Sequence, residues 1–108
     1  MKTLFEQGLE LEKQGDYEKA LNLYTQAAEQ GDIRAQMNIG HIYRSGRSGE
    51  KNPKLAAEYY LQAAKQGAVG AQWRLGDMYE FGDGVEIDFK AAAYWYEKAA
   101  EQGEAKAQ

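Results

Sequence analysis

Cysteine is absent from this chain, proline and histidine occur once each, and acidic residues leave little room for a strongly basic surface. Each shortage removes a class of protein. Without cysteine there is no disulfide, no thiol nucleophile and no thiolate ligand for a metal. A lone histidine, His41, cannot form an imidazole pair or a histidine-based metal cluster. Neither Gly-x-Gly-x-x-Gly nor Gly-x-x-x-x-Gly-Lys occurs, so the familiar phosphate-cradling loops are missing. Asp83, Glu86 and Asp88 surround Gly84 but lack the twelve-residue spacing of a calcium loop, and read more simply as solvated acids with a helix cap. An enzyme needs a nucleophile, base or metal gathered in one pocket. No such set is visible, and neither catalysis nor a cofactor or metal is expected.

No stretch reaches the roughly 18 apolar residues of a spanning helix, and the start, MKTLFEQGLELEKQG, lacks the apolar run of a secretory signal. The expected location is the cytoplasm; the periplasm or exterior applies only if a leader has been removed. The 108 residues make one domain, which buries about two thirds of the surface its unfolded form exposes. Seventeen acidic against thirteen basic residues give a formal charge of -4. Nucleic-acid modules are generally basic, so that class is disfavoured.

What the chain has is repetition. KLAAEYYLQAAKQG at 54–67 returns as KAAAYWYEKAAEQG at 90–103. Gln30-Gly31 recurs as Gln66-Gly67 and Gln102-Gly103, and Ala35-Gln36 as Ala71-Gln72 and Ala107-Gln108, always 36 residues on. Gly40 matches Gly76, Tyr43 matches Tyr79, Gly46 matches Gly82, and Tyr24, Tyr60 and Tyr96 share a register. A period of this length marks a solenoid, in which each unit buries its apolar face against the next. The units run over about 1–32, 33–67 and 68–103, and residues 104–108 read as the start of a further one.

Each unit reads as two helices. In 17–30, Ala20, Leu21, Leu23, Tyr24, Ala27 and Ala28 recur at spacings of three and four, which makes one apolar face. Ala56, Ala57, Tyr60, Ala63 and Ala64 carry the same face, as do Ala92, Ala93, Tyr96, Ala99 and Ala100. Asp16, Asn52 and Asp88 stand where N-caps are needed, Pro53 fits a first helical position, and Gly31, Gly67 and Gly103 are expected to end the helices. The first helices fall at about 3–14, 33–44 and 69–80. Gly8, Gly40 and Gly76 lie inside them at one register, which predicts close approach by the paired helix, because an interior glycine otherwise costs about 1 kcal/mol relative to alanine. The expected fold is all-α, a right-handed array of six antiparallel helices.

The pattern GLELEKQGDYEKALNLYTQAA, with Gly8, Gly15, Asp16, Tyr17, Ala20, Tyr24 and Ala27, resembles a tetratricopeptide repeat. AQMNIGHIYRSG followed by KLAAEYYLQAAKQG, and AQWRLGDMYEFGDGVEIDFKAAAYWYEKAAEQG, resemble Sel1-like repeats, the variant with the longer inter-helix loop. The second unit departs from the pattern at Ser48-Gly49, where the third has Gly84-Val85, so its loop is expected to pack less tightly. The resemblance covers nearly the whole chain. It implies an adaptor or scaffold of the kind found in signalling, secretion or protein quality control.

The resemblance also implies that ligands lie against the concave surface lined by the first helices. With the interior glycines as register marks, the candidate positions are Phe5, Met37 and Trp73, then Leu9, His41 and Asp77, then Lys13, Ser45 and Phe81. The first row supplies anchors for an extended or helical peptide, and the same row is equally suited to inter-helix core. Trp95, between Tyr94 and Tyr96, is expected to pack toward a following repeat. Charge divides the chain: three basic against seven acidic residues over 1–32, six against two over 33–67, and four against eight over 68–108. Arg34, His41 and Arg44 beside Met37 would draw an acidic peptide or a C-terminal carboxylate, unless Arg34 pairs with a neighbouring acid and Arg47 and Lys51 are simply solvated. The basic middle with Tyr43, Tyr59 and Tyr60 also raises RNA binding, against two acidic neighbours. A third expectation is a homodimer formed through an exposed terminal helix pair.

Overall fold

The helices begin where a side chain accepts from their free N–H groups, except for the fifth, which follows Ala68. In the computed structural model, which describes residues 1–107 and side chains as far as Gly103, these are α1 (Leu4–Lys13), α2 (Tyr17–Glu29), α3 (Ile33–Ser45), α4 (Pro53–Lys65), α5 (Val69–Phe81) and α6 (Phe89–Ala107). Thr3 and Glu6 form a capping box on α1. Asp16 accepts from the Lys19 N–H, Asp32 from those of Arg34 and Ala35, Asn52 from that of Leu55, and Asp88 from those of Lys90 and Ala91. Pro53 stands in the first turn of α4.

Gly31 and Gly67 take left-handed φ values of 87° and 96°. There the amide of Asp32 returns to the Ala27 carbonyl and that of Ala68 to Ala63, so the chain turns directly into the next helix. Gly103 does not do this. Helix α6 continues through it to Ala107, because glycine tolerates the right-handed conformation and Glu104, Ala105, Lys106 and Ala107 are strong helix formers. The expected start of a further unit rests on Ala107 and Gln108, which lie outside the described side chains.

Each helix packs on its neighbours in sequence, giving three antiparallel pairs in a body of 39 × 33 × 20 Å. The interior glycines explain the closeness within pairs. A Cβ on Gly8 would lie 2.7 Å from the ring of Tyr24, one on Gly40 2.7 Å from Tyr60, and one on Gly76 2.6 Å from Tyr96. Tyr24 and Tyr60 are fully buried, among Ala20, Ala27, Ala35, Ile39 and Ile42 in one cluster and Ala56, Ala63, Ala71, Leu75 and Met78 in the other.

The recurring glutamines tie unit to unit. Buried Gln36 donates its Nε2 to the Ala28 carbonyl and accepts from Gln66 at 2.8 Å; buried Gln72 donates to Ala64 and accepts from Gln102 at 2.8 Å. A polar group in this position is stable because both its amide nitrogen and its amide oxygen find a partner. The 36-residue recurrence of Ala-Gln and Gln-Gly is this ladder.

Two expectations fail in the third unit. Ala93 and Ala100, in the register of buried Ala57 and Ala64, are exposed, because among the described residues no helix packs on that face of α6. Trp95 turns the other way, onto the core of α4 and α5, and Tyr94 is the outward ring at 51% exposure. The loops differ as expected. A Cβ on Gly84 would collide with the Pro53 carbonyl and Val85 packs on the core, whereas Gly49 meets nothing within 4 Å.

Candidate functional site

The buried Tyr24 and Tyr60 and the half-buried Tyr96 carry more than packing. Each ring enters from the second helix of its unit and delivers its hydroxyl to the first. Tyr24 donates to Glu12 at 2.7 Å and accepts from Asn38 at 3.2 Å. Tyr96 meets Asp77 at 2.5 Å and Glu80 at 2.7 Å. Tyr60 meets Nδ1 of His41 at 2.6 Å instead.

The partners at these hydroxyls set the charge. Burial, then the hydrogen bond to Glu12, pushes Tyr24 up to about 12. Burial followed by the bonds to Asp77 and Glu80 holds Tyr96 well above the ordinary phenol value. Tyr60 is also raised, chiefly by burial, although Arg74, Arg44 and Arg47 oppose the shift. Burial, reinforced by Arg74, Arg47 and Arg44, lowers His41 below its ordinary 6.5, with Glu12 opposing. At neutral pH Tyr60 therefore keeps its proton and His41 is a neutral imidazole, and the two share a hydrogen bond at 2.6 Å.

Around this pair opens a cleft of about 540 Å³ lined by His41, Arg44 and Ser45 of α3, Arg47 and Lys51 of the following loop, Tyr60 of α4, Arg74 of α5 and Asp83 beyond it. Arg44 Nε donates to Asp83 at 3.3 Å, and Arg47 Nη1 donates to Glu12 at 2.9 Å. Among the described residues, Lys51 and Arg74 form no ion pair.

The peptide-binding candidates divide. His41 and Arg44 come together in this cleft. Arg34 does not join them: it pairs with Asp32, its own helix cap, at 3.3 Å and lays its guanidinium 4.2 Å above the Phe5 ring. Phe5 is half-buried against Tyr24, and Met37 is half-buried with its terminal methyl close to Gly70. Trp73, 5.3 Å from Tyr96, is 46% exposed. The row follows one rule, since Arg34 covers Phe5 and the same register in the next unit, Gly70, covers Met37. Leu9 is half-buried, Asp77 is engaged by Tyr96, and Lys13 and Phe81 point outward, Phe81 at 72% exposure.

Arg74 escapes a reading based on aromatic anchors. Its signal is the period itself: it stands 36 residues after Asn38, which already reaches a tyrosine hydroxyl. Arg47 and Lys51 are both exposed, as a solvated loop would have them, but Arg47 also pairs with Glu12, and both line the cleft. Among the described residues no group of three or more His, Asp or Glu side chains is placed to hold a metal, and no helix is long and apolar enough to cross a membrane.

Six helices in antiparallel pairs, tied by a glutamine ladder and repeated tyrosine contacts, define a helical-repeat solenoid. The Sel1 repeat family matches residues 3–32, 33–67 and 69–104, and the chain belongs to that family. Among solved structures it is similar to c5321, a protective antigen present in uropathogenic Escherichia coli strains displaying an SLR fold, with 35% identity, a TM-score of 0.85, and coverage of 93% of this chain and 22% of that one. It is also similar to a Sel1 repeat protein from Oxalobacter formigenes, with 42% identity, a TM-score of 0.81, and coverage of 94% and 42%. The chain thus spans less than half the length of either. Comparison with the curated proteins gave no match. Sel1 repeats are typically protein-interaction scaffolds rather than catalysts.

Proposed function

We propose that the chain is a non-catalytic scaffold that holds an acidic peptide segment of a partner protein along the face formed by α1, α3 and α5. The observation that carries this reading is the cleft between α3 and α5, where basic side chains from three elements converge; the half-exposed Trp73 stands on the same helix as Arg74. An exposed aromatic ring on α5 offers an acidic segment an anchor, and the positive cleft a steering field. Positive charge at the centre, with acidic first and third units on either side, also selects against a long nucleic-acid backbone.

Self-association is the second reading, favoured by the uncovered Ala93, Ala100 and Tyr94 on α6. One set of variants separates the two. Wild-type protein, Trp73→Ala and Ala93→Glu/Ala100→Glu are used as baits for partner capture, each checked by circular dichroism and sedimentation velocity. The groove reading expects capture to fail with Trp73→Ala and persist with the α6 variant. Capture unaffected by Trp73→Ala, or a wild-type dimer that only the α6 variant abolishes, overturns it in favour of the terminal face.

A further inference from the structure

The cleft has a charge surplus that a single carboxylate leaves unbalanced. Arg44, Arg47, Lys51 and Arg74 bring four positive charges, Asp83 and Glu12 answer two of them, and His41 and Tyr60 are neutral. A charge of two remains, concentrated on Lys51 and Arg74. A phosphate monoester carries about -1.5 to -2 at neutral pH, whereas a carboxylate carries one charge. The donors also suit a tetrahedral anion. Arg74 offers a planar fork, Lys51 a mobile ammonium, and Arg44 and Arg47 each engage their carboxylate through one nitrogen and keep other N–H groups. His41, hydrogen-bonded to Tyr60, lines the same cleft. A cleft of about 540 Å³ is larger than one phosphate and open enough to admit the chain bearing it.

We propose that this cleft is a phosphate site, taking the phosphorylated side chain of a peptide segment held along the α1, α3 and α5 face. The assignment rests on the groove reading for the peptide, while the phosphate contact itself is testable alone. Side-chain guanidinium and backbone amide spectra are recorded while inorganic phosphate, and separately acetate, is added at matched low ionic strength. Phosphate is expected to shift Arg44, Arg47 and Arg74 saturably, and acetate to need a concentration at least about tenfold higher. Lys51→Ala/Arg74→Ala removes the two cations that make no ion pair, so it is expected to fold as the wild type while phosphate binding falls at least about tenfold. Equal responses to phosphate and acetate, or an unchanged phosphate affinity in the folded double variant, overturn the site.

The second arm passes a degenerate mixture of phosphoserine and unphosphorylated peptides, and an RNA oligonucleotide, over immobilised protein. Phosphopeptides are expected to be retained over their unphosphorylated counterparts and to elute with inorganic phosphate. Preferential retention of RNA, or equal retention of both peptide sets, overturns the peptide assignment. Loss of the phosphate response while Trp73 still controls partner capture would sink this inference and leave the groove reading intact. A phosphate response without peptide enrichment would sink the assignment of a peptide-borne phosphate and count against the groove.

Discussion

The junction between the first and second units and the junction between the second and third are built on one plan with opposite charge. At the first, Glu12 on a first helix meets Arg47 from the loop of the next unit; at the second, Arg44 occupies the place of Glu12 and Asp83, 36 residues after Arg47, occupies the place of Arg47. The ion pair is kept and its polarity reversed. The positions around it do not reverse in step. Leu9 gives way to His41 and Asn38 to Arg74, so a nearly neutral junction becomes a positive cleft. A solenoid can thus hold its repeat contacts constant and vary the side chains around a tyrosine hydroxyl, and the variation makes the site.

The largest effects should show what the junctions share. Tyr24→Ala and Tyr60→Ala remove equally buried rings from equivalent pockets and are expected to cost about 4 kcal/mol each in urea denaturation. A difference of several-fold would break the equivalence of the two cores. A smaller effect tests the reversed pair. Asp83→Arg places a cation against Arg44 and should cost about 1 kcal/mol, since both side chains are one-third exposed; adding Arg44→Glu should recover most of it. No recovery in the double-mutant cycle would show that the pair contributes nothing.

The smallest effect is the one that separates the junctions. His41 titrates and Leu9 does not. Because the folded-state value of His41 lies below 6.5, the unfolded chain binds more protons once the pH drops past that point. Its share of stability is complete at higher pH, declines as the pH falls from about 6.5, and levels off below the folded value. His41→Leu, which copies the first junction, is expected to lack that decline, so that it appears in the difference between wild-type and variant stability curves, with the wild-type imidazole titrating below 6.5 by NMR. Superimposable curves would show that His41 is not held as described.

Much of this was readable in one dimension. A 36-residue period, three alanine-rich faces, glycines facing the tyrosine register and polar caps before each second helix all follow from local spacing, and they specify helix pairs stacked in order. The site was only half readable. His41 and Arg44 were visible as polar residues on a first helix, but Arg74 lies 30 residues from Arg44, and nothing local signals that they line one cleft. Arg34, in the same apparent group, is drawn away by Asp32 and the Phe5 ring.

Sequence alone determined the number of helices, their pairing and the repeat contacts, because those depend on periodicity, glycine and caps within each unit. Tertiary structure alone decided which face of each helix found a neighbour. Trp95 packs backward, Ala93 and Ala100 stay bare, and Arg74 completes a cleft begun by α3. The physical reason is that burial and electrostatics act between side chains across units, at distances set by how helices stack.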